Sequence, residues 1–364
     1  MRPALAMVLA VLLSACGGIA PPALPSPTPA PAGTSLADLA VYQGADREQM
    51  LIEGARKEGK AVLYTSNSQI EGLMTDFQKK YPFIKVDAVR GQNTEIQQRL
   101  REEFRANTVL ADVVESSGEG MGQMVPLDVF QEYFSPDLAA YDESSITRGP
   151  GGNVLVLADR EVYPGLAWNT NLVNSAEAPK TFDDLLDPKW KGKMGIVSSS
   201  TGTNWVGLLM NVKGEEYVKK IAQQQVKVQN ITAAALTDLV VSGEVPMSPV
   251  IGYADVLQAQ AKGAPIQWAP QEVVLTTVGA SSLVNKAPHP YSALLLLDYL
   301  HSREGQTAAR DGQQIASPRK DVPTAGLPAV QKLVMSQKYT PDEYAKQAAD
   351  WEKLFKQYFL TGPR

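Results

Sequence analysis

The fold is decided by residues 61–114, AVLYTSNSQIEGLMTDFQKKYPFIKVDAVRGQNTEIQQRLREEFRANTVLADVV. Short apolar runs in this stretch predict strands, and the segments between them carry apolar residues three or four positions apart, which predicts amphipathic helices. The predicted strands are 61–65, 84–89 and 110–114, and the predicted helices are 69–80 and 93–105. Strands that alternate with helices indicate a parallel sheet with right-handed crossovers, and therefore an α/β fold.

The second half of the chain repeats this pattern, so we expect two α/β units. Strands are predicted at 193–197 and 245–251, and helices from near Asn204 and at 215–223, 232–242 and 253–262. We interpret 163–170 as a chain crossing between the units, and we expect a returning strand within 270–284 and helices at 290–301 and within 339–358.

The N-terminal segment is typical of a targeting signal rather than of a folded unit. An apolar run at 4–13 is too short to span a bilayer and has the length of a signal-peptide core. It ends in Leu-Ser-Ala-Cys at 13–16, which is similar to a bacterial lipobox, whose cysteine is lipidated and becomes the new N-terminus. We expect a signal peptide at 1–15, a lipid anchor on Cys16 and a proline-rich linker at 16–41, with an ordinary signal peptide as the alternative.

The composition excludes several classes of protein. The 364 residues carry 34 Lys and Arg against 39 Asp and Glu, a net charge of −5 that is atypical of nucleic-acid-binding proteins. One cysteine allows no intrachain disulfide, and two histidines nearly exclude a zinc site of Cys and His ligands. The sequence also lacks the glycine-rich, nucleophile-elbow and zinc-protease motifs of common enzymes. We therefore expect no catalytic residues and no resident cofactor.

Small polar residues follow the predicted strands at the positions where open α/β sheets bind ligands. Helix N-termini there also favour anions. Four such junctions lie at 65–68, 115–118, 198–204 and 252–253. For any one of them, simple N-capping by Ser, Thr or Asn explains the same residues, but two hydroxyl-rich loops in corresponding places of two units favour a ligand. The candidate ligand-binding residues are Ser66, Asn67, Ser68, Arg90, Ser116, Ser117, Trp168, Thr201, Gly202, Thr203 and Tyr253.

Three of these candidates carry open alternatives. Arg90 ends the second predicted strand, where it would pair with an anionic ligand or remain solvated or internally paired. Trp168 lies at the predicted crossing and either lines a cleft or packs in a core. The phenol of Tyr253 would bind a metal ion, donate a hydrogen bond to a ligand, or pack.

The chain resembles the bacterial extracellular solute-binding proteins of ABC importers. The resemblance is strongest to the ferric-ion-binding family and its relatives for phosphonates, phosphorylated sugars, thiamine and polyamines. It covers roughly 51–321, and the segments that carry it are LYTSN at 63–67, FQKKYP at 77–82, ADVV at 111–114, LAWNTN at 166–171, LDPKWKGK at 186–193 and APHP at 287–290.

The resemblance implies a periplasmic-binding-protein fold of type II, in which two lobes joined by a hinge close on a ligand. It implies a monomer that binds without catalysis and hands its solute to a permease and an ATPase at the cell envelope. We expect lobe 1 at 42–160, lobe 2 at 161–275, and a return to lobe 1 with C-terminal helices at 276–364.

The resemblance also bears on the ligand. Iron-binding members use a tyrosine pair, but here Ala254 follows Tyr253, and no histidine stands in the first loop. We therefore expect a small anion such as a phosphonate, a phosphate ester or a carboxylate. The alternatives are Fe³⁺ or an iron chelate, carried as transported ligand and bound by Tyr253, and a surface hydrolase or adhesin on the same fold.

Overall fold

The computed structural model describes residues 35–67, 70–313, 316–323, 327–328, 331–334, 338–339 and 341–361. The helices are α1 (Leu36–Ala40), α2 (Arg47–Glu58), α3 (Ile70–Lys80), α4 (Asn93–Arg105), α5 (Gly118–Met124), α6 (Ser200–Val212), α7 (Glu215–Ala222), α8 (Ala233–Ser242), α9 (Tyr253–Ala261), α10 (Pro290–His301), α11 (Arg303–Gln313) and α12 (Pro341–Phe355). Among the described residues, no helix combines the length and the apolarity needed to cross a membrane.

The strands form one large sheet and three small ones. They are β1 (Lys60–Thr65), β2 (Lys85–Arg90), β3 (Val113–Ser117), β4 (Phe130–Gln131), β5 (Ile146–Arg148), β6 (Val154–Val162), β7 (Pro164–Asn169), β8 (Gly195–Val197), β9 (Lys227–Gln229), β10 (Met247–Gly252), β11 (Ile266–Ala269), β12 (Val274–Leu275), β13 (Thr277–Val284) and β14 (Lys332–Leu333).

The large sheet belongs to the first lobe and has the order β2-β1-β3-β13-β6-β5, with β4 beside β13. The predicted parallel arrangement is confirmed for its first three strands, because β1 pairs in parallel with both β2 and β3. Strands β13 and β6 continue the sheet in antiparallel orientation. The chain leaves the first lobe through β6 and returns through β13, so the two connecting strands lie side by side.

Apolar side chains cover both faces of this sheet. On one face, residues such as Leu51, Phe77 and Leu295 of α2, α3 and α10 form a buried core. On the other face, Ile96 and Leu100 of α4 pack with residues of α5. Strand β1 is buried on both sides and therefore has a continuous apolar run, which explains why the sequence predicts it clearly.

The second lobe is built around the antiparallel sheet β10-β7-β11 and the parallel pair β8-β9. Its core includes Trp168 of β7, which is 5% exposed, together with Trp190 and Trp205. Trp168 packs in this core on the central strand β7, which favours the packing alternative over the cleft alternative.

Three connections between the lobes can be traced in the residues that the structure describes. Strand β6 continues into β7 after Tyr163, and β12 leads back into β13. The third lies near the C-terminus, where the amide of Glu161 donates to the carbonyl of Ala316, and β14 pairs with β12. Helix α12 then packs on α6 of the second lobe, since Trp351 and Phe355 belong to that core. The predicted final region 276–364 is thus divided between the two lobes.

The C-terminal boundary of the linker predicted at 16–41 lies too late in the sequence. Helix α1 lies inside it, is capped by Ser35, and buries Leu39 and Ala40. The apolar pair packs on the first-lobe core, so the folded part begins before residue 42.

Candidate functional site

Two of the predicted polar loops lie side by side at one edge of the first lobe. Because β1 and β3 are parallel neighbours, their carboxyl ends meet, and the amide of Ser66 donates to the carbonyl of Glu115 at 3.1 Å. The hydroxyl of Thr65 donates to the Glu115 carboxylate and accepts from the amide of Asn67 at 3.0 Å. Ser66 and Asn67 are half-buried at this edge. Ser68 lies outside the described residues.

The second of these loops is held by α4. Asn93 accepts from the hydroxyl of Ser116 at 2.7 Å and donates to the Ser117 hydroxyl at 2.9 Å. Ser117 also accepts from the amide of Gly120, so it caps α5, as the capping interpretation predicts. Ser116 is fully buried. These two hydroxyls therefore shape the edge of the sheet, and their hydrogen bonds are already made within the protein.

The arginine at this edge is Arg160, which the sequence analysis did not select. Its guanidinium, with a side chain 13% exposed, forms ion pairs with Glu115 and with Asp159, the latter at 3.3 Å. It lies across Gly279 of β13, where an added Cβ would collide with its Cγ and Cζ. Burial lowers the pKa of Arg160 to about 10, and burial raises the pKa of Asp159. Three consecutive charged residues, Asp159, Arg160 and Glu161, in an otherwise apolar strand were the available signal.

One part of the Arg160 guanidinium still faces the predicted loop. Its Nη2 is 3.5 Å from the hydroxyl of Ser66, at the outer limit of a hydrogen bond. A small cavity beneath Asn67 is lined by Glu115, Asp159 and Arg160. By contrast, Arg90 is exposed at the end of β2 and does not line this cavity.

In the second lobe, the predicted residues Thr201, Gly202 and Thr203 form the first turn of α6. The N-cap residue Ser199 makes no side-chain capping hydrogen bond, so capping alone does not explain this hydroxyl-rich loop. Gly202 is required by packing, because a Cβ would collide with the carbonyl of Val197. Amide groups at such a turn favour anionic groups.

Tyr344 of α12 connects the two lobes near this turn. Its hydroxyl lies 3.3 Å from the side-chain carbonyl of Asn204 in α6. Burial raises the pKa of Tyr344 to about 12, and the nearby carboxylate of Glu119 in α5 adds to that shift. The first turns of α5 and α6 therefore approach the same tyrosine from opposite lobes.

Tyr253 is the first residue of α9, next to the crossing. Its amide donates to the carbonyl of Tyr163 at 2.9 Å, and its ring packs on Trp268 at 4.9 Å between centroids. Burial raises the pKa of its phenol, which disfavours the phenolate that a metal ion requires. No group of three or more His, Cys, Asp or Glu residues able to hold a metal ion occurs in the part of the chain that the structure describes.

A groove of about 880 Å³ lies between the first lobe and the C-terminal segment. Its floor is formed by Met121 of α5 with Val156, Ala158, Val278 and Ala280 of β6 and β13. Glu119, Tyr339 and Tyr344 also line it, as do Glu161 and Lys332, which form an ion pair at 2.8 Å. This volume is in the range of pockets that hold small organic molecules.

The family model of the bacterial extracellular solute-binding proteins matches residues 72–336. No curated protein shows a significant sequence match to the chain. Iron-bound HitA from Pseudomonas aeruginosa is 20% identical, with a TM-score of 0.64 over 81% of this chain and 98% of that chain. The periplasmic binding protein AfuA from Actinobacillus pleuropneumoniae, with bound fructose-6-phosphate, is 20% identical, with a TM-score of 0.62 over 83% and 99%. The substrate-binding protein of an ABC transporter from Agrobacterium tumefaciens is 16% identical, with a TM-score of 0.68 over 81% and 94%. The fold is thus that of the two-lobed periplasmic binding proteins, as predicted.

Proposed function

Since the chain belongs to the family of bacterial extracellular solute-binding proteins, we propose that it captures a small solute with an anionic group between its two lobes. It then delivers that solute to the permease and ATPase of an ABC importer. The observation that supports the anionic group is the placement of Arg160 beside the Ser66 loop, on strand β6, which continues into the second lobe.

The guanidinium of Arg160 is prepared for an anion. Glu115 and Asp159 both contact Nη1, whereas the described partner of Nη2 is the hydroxyl of Ser66 at 3.5 Å. A carboxylate or phosphate oxygen near Ser66 would receive a charge-assisted hydrogen bond from Nη2. Burial strengthens such a bond, because the local dielectric constant is lower than that of water. The amides of Gly202 and Thr203 donate to the carbonyl of Ser199, so the donors from the second lobe would be the amides of Ser200 and Thr201 at the start of α6.

A thermal-shift experiment tests the anionic ligand. A ligand that binds only the folded protein raises its melting temperature by mass action. We expect methylphosphonate, glycerol 3-phosphate or hexanoate to stabilise the wild type and the Arg90→Met variant, but not Arg160→Met. Arg90→Met is the matched control, because it removes an exposed guanidinium at the same end of the sheet. Equal shifts in all three proteins would contradict the role of Arg160.

The geometry weighs against a bare ferric ion as the ligand. Fe³⁺ needs several anionic oxygen ligands, and Tyr253 offers one phenol that packs on Trp268. Adding Fe³⁺ with citrate separates the alternatives. Stabilisation that disappears in Tyr253→Phe supports iron transport, whereas stabilisation by citrate alone supports the anionic solute.

We place the protein at the outer face of a membrane, held by a lipid on Cys16, as a single-chain component. Cys16 lies outside the described residues, and the support is the sequence at 13–16 together with the extracellular family. Several acyl chains on one cysteine would anchor the protein stably, whereas one chain would not.

A further inference from the structure

Most of the charged residues that line the groove form an ion pair with a residue of opposite charge. Its carboxylates are Glu119, Asp142, Glu143 and Glu161, and its cations are Arg319, Lys320 and Lys332. Glu143 pairs with Arg148 at 2.6 Å, Asp142 with Lys320 at 3.7 Å, and Glu161 with Lys332 at 2.8 Å. Arg319 is engaged by Asp137 and Asp321, which lie outside the groove. Among the described residues, Glu119 is the groove carboxylate without a cationic partner.

Glu119 is half-buried at the start of α5. Burial raises the pKa of its carboxyl group, and the polar groups of Ser117 and of its own backbone offset that rise only in part. Neutral groups of this kind do not balance a charge. A carboxylate held in a groove without a counter-ion is therefore placed to attract a cationic group.

Aromatic and apolar side chains line the same groove as this carboxylate. Tyr339 and Tyr344 are among them, and the Glu119 carboxylate contributes to the raised pKa of Tyr344. Apolar side chains such as Val156 and Ala280 also line the groove. A protonated amine gains from a carboxylate and from an aromatic face, and a hydrocarbon chain gains from an apolar floor.

We propose that Glu119 and Tyr344 bind a protonated amine of the transported solute, whose hydrocarbon body lies on the floor of the groove. This inference rests on the proposed function and narrows it to an organic solute that carries an ammonium group as well as an anionic group. Ser117 joins the two regions along the chain, because it belongs to the polar edge of the sheet and the next two residues, Gly118 and Glu119, line the groove.

Three matched probes separate the two charges. Hexanoate carries the anionic group, hexylamine carries the cationic group, and 6-aminohexanoate carries both on the same hydrocarbon chain. By titration calorimetry on the wild type, we expect 6-aminohexanoate to bind about tenfold or more tightly than hexanoate, as a charge-assisted contact implies. The Glu119→Gln variant should lose that preference. Glu143→Gln should keep it, since Glu143 lines the same groove but already pairs with Arg148.

The outcomes distinguish this inference from the proposed function. Equal binding of hexanoate and 6-aminohexanoate overturns the cationic subsite and leaves the anionic site standing. Binding of hexylamine without hexanoate, if lost in Glu119→Gln, supports the subsite and contradicts the anionic ligand. A preference that survives in Glu119→Gln, or no binding of either amine, overturns the inference. If Glu119→Gln does not fold, Tyr344→Leu provides the same comparison.

Discussion

The position of Arg160 depends on the absence of a side chain at residue 279. A Cβ on Gly279 would collide with the stem and the head of the arginine, so Gly279→Ala must expel the guanidinium from its place beside Glu115. The side chains of this ion pair are 13% and 1% exposed. Breaking a buried pair leaves a desolvated charge and costs about 3–5 kcal/mol. Because Arg160 retains some solvent contact, we expect about 3 kcal/mol, at the lower end of that range.

Urea unfolding measures this loss. With an m-value of about 3 kcal/mol per molar urea, the midpoint should fall by about 1 M. Arg160→Met should cost a similar amount, and the double variant should cost little more than either single change, because both remove one interaction. Gly72→Ala is the control, since nothing lies within 4 Å of its added Cβ on the exposed side of α3. It should stabilise the protein by about 0.5–1 kcal/mol. The dependence of Arg160 on Gly279 is refuted if the losses in unfolding free energy of the two single variants add in the double variant, or if Gly279→Ala leaves the unfolding free energy unchanged.

Further outcomes concern the C-terminal helix, pH and anchoring. Trp351→Ala should cost about 3–5 kcal/mol in urea unfolding, because the indole is 2% exposed and packs on Gly207, where an added Cβ would lie 2.5 Å from the ring. Burial lowers the pKa of His301 from 6.5 to about 3. Between these two pH values, the imidazole is therefore protonated in the unfolded chain and neutral in the folded chain. Stability should therefore fall as pH drops from 6.5, by up to about 1.4 kcal/mol per pH unit from this residue, and the difference between wild type and His301→Gln should isolate that slope. Cys16→Ser should move the protein from the membrane fraction to the soluble fraction, and persistent membrane association would count against lipid anchoring.

Local periodicity explains which elements the sequence predicts well. The helix predicted at 93–105 is α4 with the same bounds, because Ile96, Leu100 and Phe104 recur on one face. The strand predicted within 270–284 is β13, but its place between β3 and β6 cannot be predicted from the local sequence pattern. Pairing of strands far apart in sequence depends on the whole sheet. The docking of α12 on the second lobe depends likewise on Gly202 and Gly207, which open space for Phe355 and Trp351.

The residues of the candidate site also divide into those that the local sequence predicts and those that it does not. The Ser66 loop and the first turn of α6 were predictable because a strand, a polar turn and a helix follow one another in sequence. Arg160 and Glu119 were not selected, because the proposed role of Arg160 depends on Glu115 and Ser66 of other elements, and that of Glu119 depends on a groove that several elements line. Arg90 was chosen for its place at a strand end, but β2 is the outermost strand, so its end points to solvent.

Under the proposed function, the choice of solute would depend on the connecting strands more than on the loops. The hydroxyl of Ser116 is hydrogen-bonded to Asn93, and that of Ser117 caps α5. Substituting these serines would therefore change the shape of the sheet edge and not the charge that it presents to a ligand. Arg160 and the apolar floor, in contrast, both come from β6 and its neighbour β13. These strands also carry the chain between the lobes, so under the proposed function a solute that contacts Arg160 would touch the connection between the two lobes.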